Sequence, residues 1–174
     1  MSTNLPTTEA EKQAFFANIV AQYSERLYWT VRRIVIDHDD ADDVLQNTFM
    51  KAWQALDTFR GDCQIFTWLY RIATNESLSL LQKQSITESI NANTNEQVRA
   101  LETDPYFDGD ETELLLQQAI ATLPDKQRIV FNLKYFEEKP YTEISQLLHT
   151  SEGALKASYH IAVKKIELFF AEHD

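Results

Sequence analysis

The chain of 174 residues is 44% hydrophobic and 25% charged, a composition that excludes a disordered tail and suits one or two small buried cores. Its formal charge of −11 at pH 7 excludes a protein that coats nucleic acid unaided, because a duplex repels a net anion unless cations gather locally. No apolar run reaches about 18 residues, and the polar N-terminus lacks the basic-then-apolar order of a secretory signal, so a cytoplasmic protein without membrane insertion is expected.

With only 3 Gly and 4 Pro the chain has few turn signals, which predicts long helices and an all-α fold. Thr8-Glu9-Ala10-Glu11 has the order of a capping box. The following Phe16, Ile19, Tyr23, Leu27, Val31 and Ile34 recur at helical spacing. A second helix is predicted from Asp39 or Asp40, where Ala41, Val44, Leu45, Thr48, Phe49, Ala52, Trp53 and Leu56 form one buried face. Phe59-Arg60-Gly61-Asp62-Cys63 breaks the pattern with Gly61 as the turn residue, and Ile65, Leu69, Ile72 and Ala73 resume it. Cys63, the single cysteine, can form no internal disulfide and has no cysteine neighbour at metal-ligand spacing, so it reads as a loop residue. Residues 8–83 are thus expected to form a three-helix domain.

From residue 84 to 113 the apolar period is lost and Ser, Thr, Asn and acids dominate, with Asp104-Pro105 and Asp108-Gly109 as turn signals, so this stretch is expected to be a flexible acidic linker. A second domain is expected over 114–171. It holds a helix from Leu114 to Leu123 stopped by Pro124, another from Asp125 to Phe136, a short one from Tyr141 to Leu148, and a final one from Ser151 to about Ala171. A short helix, a tight break at His149-Thr150 and a longer helix make a helix-turn-helix pattern.

If the apolar stripe of the second helix is buried, Asp42, Asp43, Gln46, Asn47 and Met50 must lie on the wet face. Taken alone, that face reads as a solvated acidic surface that complements the helix dipole. Ser151 can cap the final helix and leave its positive end open to a phosphate. Over residues 126–165, Lys126, Arg128, Lys134, Lys139, Lys156, Lys164 and Lys165 outnumber Glu137, Glu138, Glu143 and Glu152, a locally basic segment; the alternative is that Lys164 and Lys165 only solvate a helix end and complement its dipole. The histidines and carboxylates make no recognisable triad, metal site or phosphate loop, so neither catalysis, nor a cofactor, nor a metal is expected.

Two sets of residues resemble a known family. Asp40-Ala41-Asp42-Asp43-Val44-Leu45-Gln46-Asn47-Thr48-Phe49, then Phe59-Arg60-Gly61 and Thr67-Trp68-Leu69-Tyr70-Arg71-Ile72-Ala73-Thr74-Asn75, are similar to the second conserved region of extracytoplasmic-function RNA polymerase sigma factors. Leu123-Pro124, Tyr141-Thr142-Glu143-Ile144 and Ser151-Glu152-Gly153-Ala154-Leu155-Lys156 resemble their fourth region. The resemblance implies an alternative sigma factor that binds polymerase core and promoter DNA, with an anti-sigma factor as a further partner.

It implies that the wet face of the second helix docks on a coiled coil of the largest polymerase subunit. Phe59 and Asn75 would line a pocket for a flipped base of the minus-ten element, with Gly61, Asp62, Cys63 and Gln64 as its rim. Tyr70 and Arg71 would hold the strand, and Trp68 could be core or contact. Ser151, Glu152, Gly153, Lys156, His160 and Lys164 would meet the minus-thirty-five element, while Leu155, Tyr159, Ala162 and Ile166 pack inside. Ser158, Ile161 and Val163 stand where the family usually has arginines, and His149 replaces a common glycine. The linker would either imitate RNA in a polymerase channel or serve as a plain tether. A self-sufficient helix-turn-helix regulator and a purely protein-binding helical adaptor are the competing readings.

Overall fold

The computed structural model describes residues 6–87, 101, 104–105 and 109–173. Among them all regular structure is helical, and the chain divides into two compact units, Met1–Gln82 and Lys83–Asp174.

In the first unit, α1 (Glu9–Val35) opens on the expected capping box: the Glu11 N–H donates to Thr8 Oγ1 at 3.2 Å and the Thr8 N–H donates to Glu11 Oε2 at 3.1 Å. Helix α2 (His38–Ala55) starts a residue or two earlier than the sequence predicts, because Asp37 is its cap and accepts from the Asp40 N–H at 3.0 Å. A single 3-10 turn (Leu56–Thr58) and the loop through Gln64 lead into α3 (Ile65–Thr87).

The link between α1 and α2 is unusually tight. Ile36 has φ 70° and ψ −47°, and the Asp37 N–H donates to the Val35 carbonyl at 2.9 Å across it. That is a γ-turn of the strained hand, centred on a buried β-branched residue. It brings Ile19, Leu27, Val31 and Ile34 of α1 against Ala41, Val44 and Ala52 of α2, with Leu69 and Ala73 of α3 in the same class of fully enclosed side chains. The buried Thr48, Thr74 and Ser77 each donate to the carbonyl four residues back, so these three hydroxyls are bonded within their own helices.

Helix α3 runs four residues past Lys83, into the stretch read as linker, since Ser77 and Leu81 extend its buried stripe. The other end of that stretch is shortened too. Asp110 caps α4 (Glu111–Ala121) by accepting from the Glu113 N–H at 2.8 Å, so the helix starts before Leu114. Of the linker's middle only residues 101, 104 and 105 are described, with Leu101 helical and buried; the rest of the expected flexible stretch falls outside the described residues.

The second unit continues with α5 (Asp125–Tyr135), α6 (Tyr141–Leu148) and α7 (Glu152–His173). Its core joins Ala119, Ile120 and Leu123 to Phe131 and to Ala162 and Ile166 of α7. His149 closes α6 in the left-handed conformation, φ 51° and ψ 42°, and turns the chain into α7. Arg128, counted from sequence among the outward cations, is instead buried: it donates to Asp125 at 2.7 Å and to the Leu123 carbonyl at 3.1 Å. Burial pulls its guanidinium below the ordinary value, against the pull of Asp125.

Candidate functional site

The outward face of α2 is built by the same periodicity that buries Ala41, Val44, Thr48 and Ala52. Asp43, Gln46 and Asn47 are exposed, Asp42 is half-exposed, and Met50 is 60% exposed. The face therefore grades along the helix from carboxylates through amides to an apolar thioether. Among the described residues no group of acids, histidines or cysteine is arranged to hold a metal ion, and no helix is long and apolar enough to cross a membrane.

After the 3-10 turn, Gly61, the expected turn residue, adopts the left-handed φ of +74°, and Asp62 and Gln64 project beside a half-exposed Cys63. Arg71 and Asn75 are both exposed and lie one turn apart on α3, so they share a surface. Two of the aromatic expectations need correction. Tyr70 is 0% exposed, its ring stacked 6.4 Å from Phe66, so it belongs to the bundle core and offers no face to a base. Phe59 is only 8% exposed because Trp68 packs on it at 5.0 Å; the pair supports the loop from beneath rather than presenting an open stacking platform.

In the second unit, Ser151 Oγ accepts from the Ala154 N–H at 3.3 Å and caps α7. Glu152, Lys156, His160 and Lys164 recur every four residues along one side of α7, the glutamate partly covered and the others exposed. Gly153 is exposed, and a Cβ built there would meet nothing within 4 Å. Leu155, Ala162 and Ile166 point into the core, and Tyr159 packs 5.8 Å from Phe131. Val163 also packs against that core, whereas Ile161 is 44% exposed.

One cluster escaped the sequence reading. The ammonium groups of Lys134 from α5 and Lys156 from α7 lie 5.0 and 5.6 Å from the ring of Tyr141, at the start of α6. Separations of 7 and 15 residues carry no local signal, so the connections from α5 to α6 and from α6 to α7 are what bring the three residues together.

The helical bundle with its acidic outward helix and the capped helix-turn-helix are the two parts that sigma-factor family models match. The family model for Sigma-70 region 2 matches residues 19–86, and that for Sigma-70 region 4 matches residues 113–166. The ECF RNA polymerase sigma factor SigW of Bacillus subtilis is 30% identical over 158 residues, covering 85% of this chain and 84% of that protein. The RNA polymerase sigma-H factor of Pseudomonas aeruginosa is 30% identical over 167 residues, covering 90% and 86%. Among solved structures, the sigma factor RpoE in complex with the anti-sigma factor NepR from Bartonella quintana shares the fold at a TM-score of 0.68, with 20% identity over 90% of this chain and 97% of that one. CnrH in complex with the cytosolic domain of CnrY does so at 0.63, with 24% identity over 93% and 91%.

The chain belongs to the ECF RNA polymerase sigma factor family. It is an alternative sigma factor, a transcription-initiation subunit and not an enzyme.

Proposed function

We propose that this sigma factor works in the cytoplasm, where α2 docks on RNA polymerase core through Asp42, Asp43, Gln46, Asn47 and Met50. One observation carries the reading: these five side chains project together opposite a buried stripe, with an apolar Met50 left exposed two turns beyond the acids. Carboxylates and amides suit a basic, hydrogen-bonding partner, and an adaptable thioether suits its apolar rim.

Arg71 and Asn75, with the rim from Gly61 to Gln64, would receive the opened minus-ten strand: the guanidinium for a phosphate, the amide for a base edge. Phe59 and Trp68 hold that rim in place. The start of α7, with Glu152, Gly153, Lys156, His160 and Lys164, would meet the minus-thirty-five element in the major groove. Few cations serve it, since Arg128 is buried and Val163 is turned inward. Duplex binding without core should therefore be weak. The acid-rich segment between the units serves as the connector. Two proteins of the same fold were solved with anti-sigma factor NepR and with a cytosolic domain of CnrY, and a sequestering partner of that kind is proposed here as well.

Titration of labelled chain against purified core, followed by run-off transcription on a genomic promoter library, tests the assignment. Reversing Asp42 and Asp43 to lysine should weaken core binding roughly tenfold or more. Asn75→Ala should leave core binding intact and reduce promoter opening. Nanomolar binding of promoter duplex by the chain alone would support a self-sufficient regulator instead.

A further inference from the structure

His38 opens α2, and both nitrogens of its ring are engaged. The Tyr28 hydroxyl, on α1, lies 2.7 Å from Nδ1, with the two rings edge to face at 5.8 Å. Trp29 packs on the Tyr28 ring in turn, 5.2 Å away. On its other side, Nε2 lies 3.4 Å from Oδ2 of Asp42, one turn further along α2. A neutral imidazole satisfies both contacts with one tautomer: Tyr28 O–H donates to Nδ1, and the Nε2 hydrogen faces the carboxylate. A chain of side chains thus runs from α1, across the junction at Ile36, to a half-exposed carboxylate on the docking face.

We infer that His38 is a positioning residue for core docking: anchored by Tyr28, it holds the Asp42 carboxylate in the orientation that meets the polymerase. The inference rests on the docking role of α2. A surface aspartate with no restraint surrenders rotamer freedom when a partner binds, whereas one already held surrenders less, and the difference appears as affinity. His38 is built to supply that restraint, because a ring fixed at both nitrogens cannot swing away without breaking a contact on one helix or the other.

Core affinity of the full chain is measured for wild type, His38→Ala, His38→Gln, Tyr28→Phe, Asp42→Asn, and His38→Ala combined with Asp42→Asn, with thermal melting of each. His38→Ala should weaken core binding about three- to tenfold. His38→Gln should restore part of the loss, since a glutamine can bond an aspartate one turn on. Tyr28→Phe removes one oxygen and keeps the ring, so it should lose a smaller factor at nearly unchanged melting. In the Asp42→Asn background, His38→Ala should cost nothing further. Undiminished affinity in both His38→Ala and Tyr28→Phe overturns the inference, and so does an equal loss in the Asp42→Asn background, which would make His38 a contact in its own right. If His38→Ala fails to fold, Tyr28→Phe and His38→Gln decide in the same way. Normal core binding by Asp42→Asn would overturn the docking role itself, and the positioning role with it.

Discussion

Lys156, on the outward side of α7, holds its ammonium 5.6 Å from the ring of Tyr141, the first residue of α6. The two helices of the turn are therefore tied by a cation over an aromatic face as well as by the buried Ile144 and Leu155. Burial, with a smaller push from Tyr159, raises the Tyr141 hydroxyl above its ordinary value, so the ring stays neutral under all working conditions. The quadrupole of the ring, not its oxygen, makes the contact. Tyr141→Phe should therefore preserve minus-thirty-five protection in a holoenzyme footprint. Tyr141→Leu should weaken it by about 0.5–1 kcal/mol, a two- to fivefold loss, by releasing Lys156.

His149 takes φ 51° where the chain must reverse between α6 and α7. Histidine tolerates this conformation better than a β-branched residue would, but its Cβ still crowds the following carbonyl. His149→Gly should therefore stabilise the second unit by about 1 kcal/mol, less the extra entropy that glycine gains when unfolded. A thermal melt raised by a few degrees would agree, whereas a fall would mean that the imidazole has a favourable contact outweighing the strain.

Much of the fold was legible because helical periodicity survives wherever one face is buried. The stripe of α2 is the plainest case, and its outward residues follow from it by geometry alone. Helix α3 was harder. Thr74 and Ser77 are polar residues outside the apolar pattern, yet both are buried with their hydroxyls bonded to their own helix, so the buried arc is wider than that pattern suggests. Tyr70 lies within that hidden arc, whereas the family resemblance places it against the DNA strand. Arg128 counts by sequence among the cations of a basic segment, and nothing local shows that Leu123 turns its carbonyl toward the guanidinium or that Asp125 pairs with it. The Tyr28–His38–Asp42 chain needed the γ-turn at Ile36, a conformation that sequence disfavours at a β-branched residue.

That turn allows backbone strain to be separated from side-chain burial. Ile36→Ala and Ile36→Gly both delete a buried side chain, at about 2–4 kcal/mol for the alanine. Elsewhere glycine is the worse of the two by roughly 0.5–1 kcal/mol. At φ 70° the order should invert, with glycine the more stable by about 1 kcal/mol. Urea unfolding of the two variants reads the difference directly, and the usual order, with alanine more stable, would show that the turn is not strained.

The start of α1 gives the first unit a dependence on acid. Glu11 accepts from the N–H groups of Thr7 and Thr8 and from the Thr7 hydroxyl, and the Thr7 backbone bond is the largest cause holding its carboxyl below the ordinary 4.5. All of these bonds favour the charged form, so their stabilisation is present in full above pH 4.5 and fades as the pH falls through the lowered folded value. Glu11→Gln keeps an acceptor but removes the ionisation. It should lower the melting temperature slightly at pH 7, and that difference from wild type should shrink below about pH 4. Thr8→Ala removes the reciprocal cap and should lower melting at both pH values, by roughly 2–5 °C. The two variants together separate the charge of the box from its geometry: a gap between Glu11→Gln and wild type that persists unchanged into acid would mean that the carboxyl is held by shape alone.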